Sequence, residues 1–278
     1  MLWRTDKEYW EKSWSGQKKH QAVLSPASWK NDLLIKSFDR FIRDRGFFSG
    51  RSGSRILELG CANSQWLPYF AHKWNFQVDG LDYSETGAQM AREILAREGV
   101  EGNIHLGDIF NPPAGLTGRF DIVYSFGVLE HFENQSECVA SFSTFLSNSG
   151  LLVTLIPNLC GLMGTITRTL TPDIYARHVP ISREELRRSH ETAGLNVLYC
   201  DYFLPLNLGV LNLDFIRSSS LHYVVGNAFA LSSKIICSLL KPVPLRMTSR
   251  LLSPYVLLIA EKVPSVRPSG AATPQSVS

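Results

Sequence analysis

The stretch R-I-L-E-L-G-C-A-N-S, residues 55–64, decides the fold. Ile56, Leu57 and Leu59 make a short run that is nearly all apolar, the pattern of a strand covered on both faces of its sheet. Gly60 punctuates the run, the small residues Cys61, Ala62 and Ser64 follow, and Gln65–Lys73 reads as a helix. A strand that turns through small residues into a helix brings main-chain N–H groups and a helix N-terminus up to a ligand.

Working outward, the same alternation repeats. Phe76–Leu81, Asn103–Leu106, Phe120–Ser125 and Gly150–Ile156 read as further strands. Glu85–Glu98 is a helix with Ser84 as its N-cap and Gly99 as its stop, and Cys138–Leu146 is another. Upstream, Leu33, Leu34, Phe38, Phe41 and Ile42 recur at three and four residues, which predicts an amphipathic helix within Trp29–Phe47. Downstream, S-R-E-E at 182–185 is a capping box that opens a helix ending at Gly194. Leu195–Tyr202 and Tyr255–Glu261 complete the strands. Strands alternating with helices predict an α/β fold with a doubly wound, mostly parallel sheet.

Five segments follow from this reading. Residues 1–50 form a helical lid, 51–202 the ligand-binding core, 203–254 a helical insertion, 255–263 the last core strand, and 264–278 a Pro/Ser/Ala-rich disordered tail. The insertion is apolar, with Asp214 its only acid, and reads as a pocket wall or a homodimer contact in preference to a membrane-surface patch.

Composition narrows the functions. With 44% hydrophobic and 19% charged residues among 278, the chain is globular and neither disordered nor collagen-like. Twenty-eight basic against 25 acidic residues leave a charge of +3, too small and too scattered to argue for nucleic acid. Cys61, Cys138, Cys160, Cys200 and Cys237 contain no C-x-x-C pair, so neither a disulfide framework nor a metal site is expected. The N-terminus M-L-W-R-T-D-K-E lacks an apolar core of the signal-peptide kind, and no run of about 20 apolar residues is free of charge. The Tyr223–Leu240 run carries Lys234. The expected compartment is the cytoplasm.

Two cofactor classes use a strand–turn–helix of this kind. A dinucleotide asks for G-x-G-x-x-G so that the main chain can approach a pyrophosphate, and here Ala62 and Gln65 stand at the second and third glycine positions. That argues against an oxidoreductase. The residues instead resemble class I methyltransferases, which use S-adenosylmethionine and have a seven-stranded sheet. Glu58, Gly60, Ala62 and Ser64 occupy the places of that family's acid and spaced glycines, with Cys61 between them. G-L-D-Y-S puts Asp82 at the end of the second strand, 22 residues after Gly60, where a carboxylate can accept from both hydroxyls of a ribose. By resemblance Asp82 is the ribose ligand, Tyr83 packs beside the adenosine, and Asp108 with Ile109 holds the adenine. F-D-I-V-Y-S-F-G-V-L-E-H-F, residues 120–132, is similar to the family's fourth strand and following loop, which implies that the backbone around Ser125 and Phe126 faces the methionine end.

The acceptor side is read from fewer signals. His131 follows the fourth strand and its ordinary pKa suits a general base, although a histidine there also serves simply to line the pocket. His178 lies in a loop after the fifth strand, and Asn158 follows that strand directly; both are candidate substrate contacts, or plain loop formers. Tyr9, Trp10 and Trp14 sit at near-helical spacing and either lid the site or cover the sheet edge. The expected reaction is methyl transfer to the hydroxyl oxygen of a small lipophilic acceptor. The Asn/Asp-Pro-Pro-Tyr of many nitrogen-directed relatives is absent after the fourth strand. Nitrogen or carbon methylation of a small molecule or carrier-linked sugar, and an inactive S-adenosylmethionine-binding module, are the alternatives.

Overall fold

The computed structural model describes residues 3–21, 30, 32–205 and 248–263. The tail at 264–278 and most of the insertion, including the 223–240 run, lie outside the described residues. The elements in chain order are α1 (Lys7–Gln21), α2 (Leu33–Arg45), β1 (Arg55–Leu59), α3 (Trp66–Trp74), β2 (Gln77–Asp82), α4 (Glu85–Glu98), β3 (Gly102–Leu106), β4 (Phe120–Phe126), α5 (Gln135–Thr144), β5 (Leu146–Pro157), α6 (Leu162–Leu170), α7 (Pro172–Tyr175), α8 (Arg183–Thr192), β6 (Leu195–Phe203) and β7 (Tyr255–Lys262). A single 3₁₀ turn, Leu129–His131, follows β4.

The strands form one sheet in the order β3-β2-β1-β4-β5-β7-β6. β1 pairs in parallel with both β2 and β4, so the chain winds outward in one direction from β1 and in the other from β4. Between these two strands the winding reverses, and a crevice opens at their carboxyl ends. β7 enters antiparallel between β5 and β6. Apolar cores cover both faces. On one, Phe38 and Phe41 of α2 and Trp66 and Phe70 of α3 pack onto Ile56, Val78 and Tyr124. On the other, Val139 and Phe142 of α5 and Leu186 of α8 pack onto Leu57, Leu81 and Val123. Burial on both faces is why these strands are continuous apolar runs.

Local sequence explains the helix ends. Ser84 accepts from the Gly87 N–H to start α4, Gly99 ends it in the left-handed region, and Ser182 with Glu185 closes the expected capping box on α8. Helix α5 starts earlier than expected, at Gln135, because Asn134 caps it through the Glu137 N–H. The loop expected after β5 contains two helices. Helix α6 is rich in threonine, a weak helix former, and its hydroxyls satisfy themselves on the preceding turn: Thr167 on Met163 O (2.9 Å) and Thr169 on Thr165 O (2.9 Å).

Candidate active site

The crevice at the carboxyl ends of β1, β2 and β4 is a cavity lined by Trp3, Thr5, Trp10, Trp14, Gly60, Leu81, Asp82, Tyr83, Gly107, Asp108, Ile109, Phe126, Gly127, Val128, His131 and Phe132. It therefore brings together nine of the sequence-derived candidates: Gly60, Asp82, Tyr83, Asp108, Ile109, Phe126, His131, Trp10 and Trp14.

Gly60 continues the sheet, its N–H donating to Leu81 O (2.8 Å), and then turns at φ +75°. A Cβ at that position would lie 2.6 Å from Val128 Cγ2. Only glycine combines this backbone with such close approach. Cys61 and Ala62 follow, buried beneath the turn. Asp82 is bound into the same loop: its Oδ2 accepts from Ala62 N–H and its Oδ1 from Ser84 N–H, both 2.9 Å. Burial raises its pKa, and those two N–H groups oppose the rise by favouring the carboxylate. Each oxygen keeps a further lone pair for a ligand. Asp108 similarly spends one oxygen on the Phe110 N–H (3.0 Å).

Glu58 is set back from the cavity. It is buried, and Tyr124 donates to its Oε2 at 2.8 Å. Desolvation pushes its pKa up to about 8, against the hydrogen bonds from Ser64 and Tyr124, so it stands as a neutral acid bracing the strand below the turn. Ser64 itself accepts from the Trp66 N–H (3.0 Å) in the turn that leads into α3. Ser125 is fully buried at the end of β4, with a hydroxyl that has no hydrogen-bond partner.

Much of the remaining wall is aromatic. Trp10 stacks on Trp14 (5.5 Å between ring centres) and meets His131 edge-on at 5.1 Å. Trp3 fills the space between Tyr83, Phe110 and Phe132. These contacts bring the N-terminal segment over the sheet. Arg4 pins it through Glu133 (2.6 Å) and Ala176 O, and Glu11 accepts from the Glu85 and Thr86 N–H groups at the start of α4. The His131 Nδ1–H donates to Arg177 O (3.0 Å), which leaves the lone pair on Nε2. Burial, and then the neighbouring His178, depress the His131 pKa to about 3. The ring is neutral and weakly basic.

Three of the candidate substrate contacts also stand off the cavity wall. Asn158 donates from Nδ2 to Arg250 O and Ser253 O (2.8 Å each), fastening the loop before β7 to the end of β5. Tyr9 lies beneath the Arg177 guanidinium, 4.3 Å from its ring. His178 backs His131, with 4.5 Å between ring centres. Conversely, Trp3, Thr5, Leu81, Gly107, Gly127, Val128 and Phe132 line the cavity without having been singled out. Gly107 and Gly127 each adjoin a residue that was, one at the end of β3 and the other at the end of β4. Trp3 reaches the wall only through long-range packing that no local pattern announces.

The donor set fits S-adenosylmethionine. The glycine turn lets main chain approach a ligand, Asp82 and Asp108 offer free lone pairs, and the Tyr83 hydroxyl is buried on the wall with no partner. A family model described as a methyltransferase domain matches residues 33–199, more than half of the chain. Among solved structures, phosphoethanolamine N-methyltransferase 2 of Haemonchus contortus, bound to phosphomonomethylethanolamine and S-adenosylhomocysteine, superposes with a TM-score of 0.60 at 12% identity, covering 95% of this chain and 61% of that one. A SAM-dependent methyltransferase from Archaeoglobus fulgidus gives 0.52 at 18% identity, covering 81% and 92%. In sequence, a ubiquinone biosynthesis O-methyltransferase of Caulobacter is 27% identical over 131 residues, 47% of this chain and 48% of that protein. The chain spans between about a fifth and a half of the length of the curated relatives it matches. Fold, cofactor set and family model agree, and the chain belongs to the S-adenosylmethionine-dependent methyltransferases of class I.

Proposed function

We propose that this chain transfers the methyl group of S-adenosylmethionine to a hydroxyl oxygen of a small, largely apolar acceptor held under the N-terminal aromatic lid. The observation that carries the reading is a single cavity whose wall combines Gly60, Asp82 and Asp108 with the indoles of Trp10 and Trp14 and with His131. When bound, the cofactor supplies an electrophilic methyl carbon on a sulfonium, whose thioether leaves without needing a proton. The chain's own work is therefore alignment. Asp82 and Asp108 fix the nucleoside, and Gly127 and Val128 line the same cavity. Trp3, Trp10 and Trp14 exclude water and present flat apolar faces to an aromatic or lipid-like acceptor. His131 is neutral with its Nε2 lone pair uncommitted, so it can orient a hydroxyl by accepting its hydrogen bond; a pKa of about 3 makes it a weak final proton acceptor. We place the protein among small-molecule enzymes without a nucleic-acid substrate. No helix among the described residues is long and apolar enough to cross a membrane.

Thermal unfolding with S-adenosylmethionine, S-adenosylhomocysteine and NAD side by side is the first test, since native-state ligands raise the midpoint by mass action. The first two are expected to shift it and NAD is not. An acceptor screen of phenols, hydroxylated lipids and amines, read by mass, then tests the oxygen assignment. Methylation confined to amines would overturn it.

A further inference from the structure

Among the described residues one group of side chains has the composition of a cation site: Glu130, His131 and His178, each offering a donor atom within 4.8 Å of the others. The 3₁₀ turn after β4 supplies the first two, and the segment after α7 returns to supply the third, held there by the Val179 N–H on Glu130 O (2.6 Å). Three features of this group are unfavourable if nothing sits between them. The His131 Nδ1–H donates to Arg177 O, and the His178 Nδ1–H donates to Ile174 O at 2.7 Å, so both rings turn a bare Nε2 lone pair to their surroundings. The ring centres lie 4.5 Å apart with the planes tilted by 45°, so both unpaired nitrogens share one neighbourhood. Beside them the Glu130 carboxyl is 3% exposed and its Oε2 has no hydrogen-bond partner. A buried acid atom without a partner costs free energy, and so does a buried ring nitrogen without a donor.

One cation removes all three costs at once. Ring nitrogens that ligate a metal commonly have their other N–H fixed on a carbonyl, the arrangement both histidines have here. We propose that Glu130, His131 and His178 bind a divalent transition-metal ion, with a coordination position open toward the cavity that His131 lines. Two imidazoles and one carboxylate favour zinc, cobalt, manganese or ferrous iron over magnesium or calcium, which select all-oxygen sets. Bonds of about 2.0–2.2 Å put tetrahedral ligand atoms roughly 3.3 Å apart, so small side-chain rotations close the site. The open position would take water or the acceptor's oxygen. That last role rests on the proposed hydroxyl acceptor; metal uptake does not, and it is measured without acceptor or cofactor, so failure of either reading is distinguishable. An ion there takes the same Nε2 lone pair that would otherwise hold the hydroxyl, so the two uses of His131 exclude one another.

The test is a Co²⁺ titration of the full chain after chelator treatment, read by visible ligand-field absorption and equilibrium dialysis. The expected result is saturable uptake of one Co²⁺ per chain. Glu130→Gln and His178→Ala should each weaken it at least tenfold, while S-adenosylhomocysteine affinity stays within about twofold. Because either variant can lose the fold, Mn²⁺ broadening of the ring signals of His131 and His178 in the unmodified protein gives an independent location. Absence of saturable uptake, uptake that both variants leave unchanged, or broadening at other histidines would each overturn the proposal.

Discussion

The Ala62 N–H donates to Asp82 Oδ2 at 2.9 Å, joining the turn after β1 to the acid at the end of β2 across 20 residues of chain. The loop that approaches the cofactor and the carboxylate proposed to hold its ribose are thus one unit, and a change at either disturbs both.

Substituting Asp82 tests that coupling. Asp82→Ala strands the Ala62 and Ser84 N–H groups as well as removing the ribose acceptor. Charged hydrogen bonds contribute about 1.5–3 kcal/mol each, so cofactor affinity should fall at least tenfold and stability by about 2 kcal/mol. Calorimetric titration with S-adenosylhomocysteine, alongside urea unfolding, reads both. An unchanged dissociation constant would mean that the ribose lies elsewhere.

Gly60→Ala adds a methyl 2.6 Å from Val128 Cγ2 at a φ of +75°. The left-handed backbone alone costs roughly 1–2 kcal/mol for a non-glycine residue. We expect weakened cofactor binding that Gly60→Ala with Val128→Ala restores only in part, because trimming Val128 relieves the contact and leaves the backbone cost. Complete restoration would assign the whole effect to the clash.

Glu58 gives a pH dependence. Its pKa in the folded protein is about 8 against an ordinary 4.5, with burial the main cause. A raised carboxyl pKa means the folded state holds a proton that the unfolded chain releases. Its contribution is complete below pH 4.5 and is lost as pH rises toward 8, at up to about 1.4 kcal/mol per pH unit. Glu58→Gln keeps an acceptor for Tyr124 and carries no such proton. Its unfolding free energy should fall less steeply from pH 5 to 8 than that of the parent, with the two curves crossing. Parallel curves would show that Glu58 ionises freely in the fold.

Glu11 of α1 holds the N-terminal segment to the start of α4. Desolvation works against its charge, but hydrogen bonds from Thr86 and from the Glu85 and Thr86 N–H groups outweigh it and hold its pKa below 4.5. Helix N-termini favour such an anion by about 0.3–1 kcal/mol at low salt. Glu11→Gln should loosen α1 from α4, making residues 3–21 a few-fold more sensitive to limited proteolysis, with the difference shrinking in high salt. Equal cleavage rates would place the hold on the lid with Arg4 and the indoles.

Much of this protein was legible in its sequence because the deciding signals are local. The apolar runs, the Ser84 and Ser182 caps and the Gly60 turn depend on residues within a few positions of one another, and the strand and helices they delimit occur as expected to within a few residues. The acids Asp82, the last residue of β2, and Asp108, two residues after β3, follow from the same register, since a strand that ends at the crevice leaves the side chains at its end there. What only the tertiary structure decided depends on contacts across large separations. Asn158 reads as a polar residue at a strand end, yet both Nδ2–H bonds go to carbonyls near residue 250, which no local pattern encodes. Trp3 becomes cavity wall, and His178 meets Glu130 and His131, only after the lid and the segment following α7 pack onto the sheet. Helix α6 was invisible for a related reason: its threonines disfavour a helix until each hydroxyl finds a carbonyl one turn back. Local chemistry determined the scaffold and the Gly60 turn; the rest of the cavity wall is set by which distant side chains the folded chain buries together.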